Sequence, residues 1–170
     1  VFRAVVLIAA LVLVSDQATK YWVQSTLSAG QTISVVGDLL QLRLVYNPGA
    51  AFSIGSGSTW IFSITAAAAV VGVTVVARRV TSRPWAVALG LVLGGAATHL
   101  LDRLFREPGF ARGHVVDFID YAGFFVGNVA DIALVVGVGL VMVLNLRGIP
   151  LREPTASAGA STTDQVLPSS

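Results

Sequence analysis

The sequence predicts a mainly α membrane protein: four transmembrane helices with a small extracytoplasmic β-sheet. Three observations carry that prediction. Long apolar stretches recur along the chain, charged residues make up only 12% of it, and its mean hydropathy is +0.80. A soluble domain carries roughly 25% charged residues, and a chain of 170 residues with half that share could not cover its surface in water. The length suits one domain. Residues 1–149 are expected to form it, with 150–170 as a disordered cytoplasmic tail rich in Ser, Thr, Ala and Pro.

A helix crossing about 30 Å of hydrocarbon needs roughly 20 apolar residues. Four stretches qualify, over 4–23, 60–77, 85–101 and 129–146. The second is the cleanest, rich in Ala and Val and free of charge. Trp60 and Trp85 stand at span ends, where amphipathic rings prefer the headgroup level. Gly90, Gly94 and Gly95 in the third span predict close helix contacts. The first span also fits a cleaved signal peptide, with Arg3 before an apolar core. Asp16 and Lys20 argue against it, because they would spoil the region before a cleavage site.

Between the first two spans, Leu40, Leu42, Leu44 and Tyr46 alternate with Gln41, Arg43 and Val45. That is strand periodicity, and Asn47-Pro48-Gly49 then reads as a turn. A small sheet resting on the membrane surface follows. For orientation, Arg3, Arg78, Arg79, Arg83, Arg147 and Arg152 share one side, and Lys20, Arg43, Arg103, Arg106 and Arg112 the other. The tight Arg78, Arg79, Arg83 cluster in the shortest loop places that side in the cytoplasm, with both termini.

On this topology Asp16, Asp38, Asp102, Glu107, Asp117, Asp120 and Asp131 all fall at the outer side. A charge at a helix centre costs about 2.5–3.5 kcal/mol on insertion scales, so such residues usually face the bundle interior and serve a function. One polar site near the outer surface is implied. Spacing leaves roles open. Asp16 and Lys20, four apart on one helix face, also fit an interfacial ion pair. His99, Asp102 and Arg103 also fit snorkelling and capping groups. Asn128 with Asp131 three residues on also fits a capping box. Asp117, bracketed by Val116 and Phe118, is either a partly desolvated acid with a raised pKa or a solvated loop acid.

Several classes are excluded or disfavoured. The chain has no cysteine, so disulfides, thiolate metal sites and a Cys nucleophile are out. Its basic residues are scattered, with no patch and no interleaved aromatics, so nucleic acid is not an expected partner despite a pI near 9.5. His99 and His114 do not form a His-Glu-x-x-His arrangement, and no metal or cofactor is expected. A proton-coupled carrier would also need intramembrane Asp, His, Lys and Arg, but no internal repeat relates the two halves. A small structural protein that only packs against partners is the third reading; in it Asp117 and Asp131 would tolerate Ala.

Five blocks decide among these. They are Asp16-Gln17-Ala18-Thr19-Lys20; Asn47-Pro48-Gly49-Ala50-Ala51-Phe52; Gly94-Gly95-Ala96 leading to Leu100-Leu101-Asp102-Arg103; Gly113-His114-Val115-Val116-Asp117-Phe118; and Asn128-Val129-Ala130-Asp131. In this order, at the ends of four spans, the chain resembles the lipoprotein signal peptidase (signal peptidase II) family. The resemblance implies an aspartic membrane endopeptidase of the bacterial cytoplasmic membrane. It implies Asp117 and Asp131 as the catalytic pair, supported by Asp16, Lys20, Asn47, Arg103 and Asn128. It also implies the partners, a lipid-modified prolipoprotein substrate and membrane lipids; the protein is expected to act as a monomer. The substrate would be cut just before a diacylglyceryl-modified cysteine, with the active site near the outer face. Two departures stand out. Thr98-His99-Leu100 replaces the family's Gly-Asn-Leu, so His99 stands where an Asn is expected, and Ile132 replaces a small polar residue.

Overall fold

The apolar stretches form four helices in the computed structural model, which describes residues 1–28, 30–49 and 58–152. They are α1 (Phe2–Thr26), α2 (Thr59–Ala77), α3 (Arg83–Phe105) and α4 (Val129–Leu146), each long and apolar enough to cross a membrane. The fourth matches its expected bounds; α1 and α3 run several residues further at the end that carries their charges. Those extra turns hold Gln24 and Arg103, whose polar ends find partners inside the protein.

α3 is the central helix. Of its most apolar stretch 56% is buried, against 17%, 11% and 22% for α1, α2 and α4, so the other three turn most of their surface outward. Glycine makes this packing possible. A Cβ on Gly94 would stand 2.6 Å from Val12 Cβ and 2.9 Å from the Ala9 carbonyl on α1. One on Gly95 would stand 2.6 Å from Leu134 Cγ on α4. Adjacent glycines thus admit two different helices on two faces of α3. Replacing Gly94 by Leu is expected to lower stability by at least the ~1–3 kcal/mol of an overpacked core, read as a fall in the thermal unfolding midpoint in detergent.

At the end of the bundle holding the α2–α3 turn, Val5, Ala77, Val80, Trp85, Leu89 and Leu144 form an apolar core. Trp85 departs from its expected headgroup position. It is buried at 6% exposure and donates its indole N–H to the Ile149 carbonyl at 2.9 Å, so it anchors the chain after α4 rather than lipid. Trp60, 51% exposed, keeps an outward place. The packed chain also continues past 149: Thr81 donates to the Leu151 carbonyl, and the Arg152 guanidinium to that of Arg79. The tail expected to be disordered lies, from residue 153 onward, outside the described residues.

The opposite end carries an antiparallel four-stranded sheet in the order β1 (Thr32–Val36), β2 (Leu40–Asn47), β3 (Val115–Tyr121), β4 (Phe125–Gly127). The alternating segment is β2, bounded as its periodicity predicts. The segment holding Asp117 is β3, at the sheet centre. Val115, Val116, Asp117 and Phe118 are all buried, Phe118 in an apolar cluster with Val23 and Leu27 at the end of α1. β2 and β3 pair with Val45 opposite Asp117 and Asn47 opposite Val115. Asn47 is therefore the diagonal neighbour of Asp117 on one face, within side-chain reach.

Candidate active site

Asp131 is the third residue of α4. Asn128 caps that helix: its Oδ1 accepts the Asp131 amide at 3.1 Å, while Asp131 Oδ2 accepts the Asn128 amide at 2.9 Å. The capping-box reading of this pair is thus correct, but it leaves Asp131 Oδ1 free to turn elsewhere. That oxygen meets His99 Nε2 at 3.1 Å. The Asn128 amide group, fully buried, reaches across to β3 and donates to Asp117 Oδ1 at 2.6 Å. One residue therefore holds both carboxyl groups, Asp131 by its backbone and Asp117 by its side chain.

Asp117 is buried at 3% exposure. Its second oxygen, Oδ2, accepts from Asn47 Nδ2 at 3.0 Å. Burial pushes its pKa up to about 6; the Asn47 bond opposes the rise, the charge of Asp131 adds to it, and the Asn128 bond and His99 oppose it. The solvated-loop alternative for Asp117 is therefore ruled out by its place in the sheet.

Asp117 and Asp131 line one cavity of about 460 Å³. Asn47, His99 and Arg103 share its polar end, and Phe62, Ala66, Ala69, Leu134 and Val135 of α2 and α4 form its apolar walls. Arg103 seals one side. Its guanidinium donates to the carbonyls of Asn47 at 3.0 Å, Gly113 at 3.0 Å and Gly49, and stacks 5.6 Å from the Phe62 ring centre. Ala50, Ala51 and Phe52 of the second block lie outside the described residues.

Asp16 and Lys20 do not reach the cavity. They are fully buried behind it, where Lys20 Nζ lies 2.6 Å from Asp16 Oδ2 and 2.7 Å from Asp102 Oδ2. The simple interfacial pair is thus a three-residue cluster inside the bundle. Asp102, absent from the candidate set, is its hub: it also accepts from Arg106 Nε at 2.7 Å and Gln17 Nε2 at 2.9 Å. Its place beside Arg103 at a span end was visible, but two of its partners, Lys20 and Gln17, lie over eighty residues away on α1. Among the described residues no three or more His, Asp or Glu side chains stand close enough to hold a metal ion.

A sequence profile for "Signal peptidase (SPase) II" matches residues 8–147, most of the chain. The chain belongs to the signal peptidase II family. Among its relatives, the lipoprotein signal peptidase of Leifsonia xyli subsp. xyli is 50% identical over 159 residues, covering 91% of this chain and 74% of that protein. That of Mycolicibacterium smegmatis is 41% identical over 173 residues, covering 95% and 74%. A bacterial membrane enzyme solved by the in meso method at 2.3 Å superposes with a TM-score of 0.76 at 29% identity, over 89% of this chain and 94% of its own. The signal peptidase II assignment agrees with four spanning helices capped by a sheet, and makes this a membrane-embedded enzyme.

Proposed function

We propose that the chain is an aspartic endopeptidase that removes the signal peptide from prolipoproteins just before a diacylglyceryl-modified cysteine, with Asp117 and Asp131 as its catalytic residues. The observation that carries this reading is the shared anchoring of both carboxyl groups by Asn128 at the polar end of one cavity. Two carboxylates close together cannot both ionise comfortably and share a proton. Burial, which pushes the Asp117 carboxyl up to about 6, favours this residue as the member that carries the shared proton below that pH. It donates to the scissile carbonyl and steadies the charge that develops there. Asp131 takes a proton from the attacking water as general base. His99, opposite Asp131 Oδ1, fixes the direction in which that carboxylate points.

The apolar walls between α2 and α4 suit a substrate held in the bilayer. Each buried CH₂ of a lipid chain contributes about 0.8 kcal/mol, so the chain keeps the cleavage point at the depth of the two acids. In this reading the Arg78, Arg79, Arg83 end faces the cytoplasm with both termini, and the sheet faces outward. The purified protein is expected to cut a diacylglyceryl-modified prolipoprotein and to leave the unmodified precursor, or one with its cysteine replaced, intact. Equal cleavage of the unmodified form would end the lipid requirement.

The proton on Asp117 also fixes a pH dependence. An aspartate titrates near 3.8 in an unfolded chain and near 6 here. The fold therefore gains stability from this proton below the lower value and loses it as pH rises through the upper one. Activity follows the same limb: kcat/KM should fall as pH rises past about 6, because the protonated donor disappears. Asn47→Ala removes a bond that favours the ionised form. It should move that limb to higher pH, as measured in a pH–rate profile.

A further inference from the structure

We infer that the buried triad of Asp16, Lys20 and Asp102 is a positioning device, which sets the separation of Asp117 and Asp131 through the backbone amides beside them. The inference rests on the assignment of those two aspartates proposed above.

Asp16 lies on α1, yet its Oδ1 accepts the amide of Ala130 at 3.0 Å, in the first turn of α4. Asp102 lies on α3, yet its Oδ2 accepts the amide of Val116 on β3, at a longer 3.4 Å. Ala130 immediately precedes Asp131, and Val116 immediately precedes Asp117. The two acceptors are joined by a single ammonium, since Lys20 Nζ contacts Asp16 Oδ2 and Asp102 Oδ2 together. A continuous chain of bonds thus runs from the backbone of one aspartate to that of the other without entering the cavity.

The local surroundings make the link stiff. Asp16 Oδ2 also accepts from Thr98 Oγ1 at 2.6 Å, the residue before His99, so the third side chain at the dyad is referenced to the same carboxylate. Gln17 Nε2 donates both to Thr98 Oγ1 and to Asp102 Oδ1, each at 2.9 Å, bracing the two acids a second time. Arg106 balances the remaining charge of Asp102 at 2.7 Å. Asp16, Lys20 and Asp102 are at most 1% exposed, so water does not compete for these bonds. A carboxylate in the first turn of α4 is also favoured by the positive end of the helix dipole. None of the three lines the cavity, and their hydrogen bonds toward the two aspartates run through Ala130, Val116 and Thr98.

The test compares full-length variants in detergent by steady-state cleavage of a lipid-modified prolipoprotein, with thermal midpoints as the folding control. Asp16→Asn keeps an oxygen for the Ala130 amide, whereas Asp16→Leu keeps the volume and removes the acceptor. Asp16→Leu is expected to lose about 100-fold in kcat, the cost of roughly a 1 Å misplacement at the reacting groups. KM should change by less than about twofold, since substrate contacts are intact. Asp16→Asn turns an N–H₂ toward Lys20 Nζ in place of the accepting Oδ2, so it breaks the bridge while keeping the Ala130 acceptor, and its kcat should lie between those of wild type and Asp16→Leu. The double variant Lys20→Met with Asp16→Asn removes two buried opposite charges together, which relieves the donor–donor contact left by Asp16→Asn alone. It too lacks the bridge and keeps the Ala130 acceptor, so its thermal midpoint should recover toward wild type while its kcat stays at about that of Asp16→Asn. Equal kcat in Asp16→Asn and Asp16→Leu, or wild-type kcat in the double variant, overturns the inference. Asp131→Asn, run alongside, separates this from failure of the dyad itself: wild-type cleavage by that variant overturns the catalytic assignment instead.

Discussion

Asp117→Asn and Asp131→Asn should each leave a folded protein whose cleavage rate is lower by about 10²–10⁴, the usual contribution of a positioned acid or base. The folded state tolerates the exchange for reasons visible at each site. At Asp117 an amide keeps one acceptor for either Asn47 or Asn128 and leaves the other donor without its bond, at a cost of about 1–3 kcal/mol. Part of that is returned, because a neutral side chain no longer has to be buried as a charge. At Asp131 the amide oxygen still accepts from the Asn128 backbone, and the amide N–H₂ can face His99 Nε2 in its accepting tautomer. The chemistry has no such tolerance. An amide cannot take a proton from water at position 131, and at position 117 it offers a far weaker acid to the carbonyl. Because the pair acts as one unit, the double variant should be no slower than the worse single one. Thermal midpoints close to wild type with cleavage lost is the expected pattern. Wild-type turnover by either variant removes the dyad, whatever happens to substrate binding.

Much of the helical body was legible because hydrocarbon imposes a strong filter: a span must be long, apolar and nearly free of charge. Span four was bounded by its own cap at Asn128 and came out at its expected residues. The ends of α1 and α3 were less legible. Their last turns are polar, and only the completed bundle supplies partners for Gln24, Arg103 and Arg106. Trp85 illustrates the same limit, since an aromatic at a span end reads as a lipid anchor until its neighbour Ile149 is in place. The sheet was half legible. β2 alternates in sequence although its residues are almost uniformly half-buried, whereas β3, Val-Val-Asp-Phe-Ile-Asp-Tyr, gives no clean strand period because buried Asp117 and Asp120 interrupt its apolar residues.

For the site, the residue types were legible and the wiring was not. Asn47, His99, Arg103, Asp117 and Asp131 do meet around one cavity. Their convergence could be anticipated from the five blocks, but not from any local spacing. Asp16 and Lys20 advertised a pair at four-residue spacing; that Lys20 equally serves Asp102 depends on helix packing between α1 and α3. His99 is the position where this chain departs from the expected Asn, and its imidazole nitrogen lies within hydrogen-bond distance of Asp131.

Arg103→Lys should be nearly as damaging as Arg103→Ala, and that comparison tests how the cavity is closed. The guanidinium leaves the last turn of α3 and serves carbonyls of Asn47, which ends β2, of Gly49 just after it, and of Gly113, which leads into β3. A planar fork with five donors can reach three acceptors in different directions, whereas an ammonium is a single point on a flexible stem. Lysine would strand at least one or two buried carbonyls, each at about 1–3 kcal/mol. The stack on Phe62 would be lost as well. Asn47 would lose its backbone anchor, and with it the fixed bond to Asp117 Oδ2, so turnover should fall by about 100-fold as expected for a small displacement of a reacting group. If Arg103 acted mainly as a positive charge near Asp117, lysine would preserve most of the activity and only alanine would abolish it. Thermal midpoints and turnover for the two variants therefore separate a brace made of geometry from one made of charge, and near-wild-type behaviour of Arg103→Lys would overturn the first.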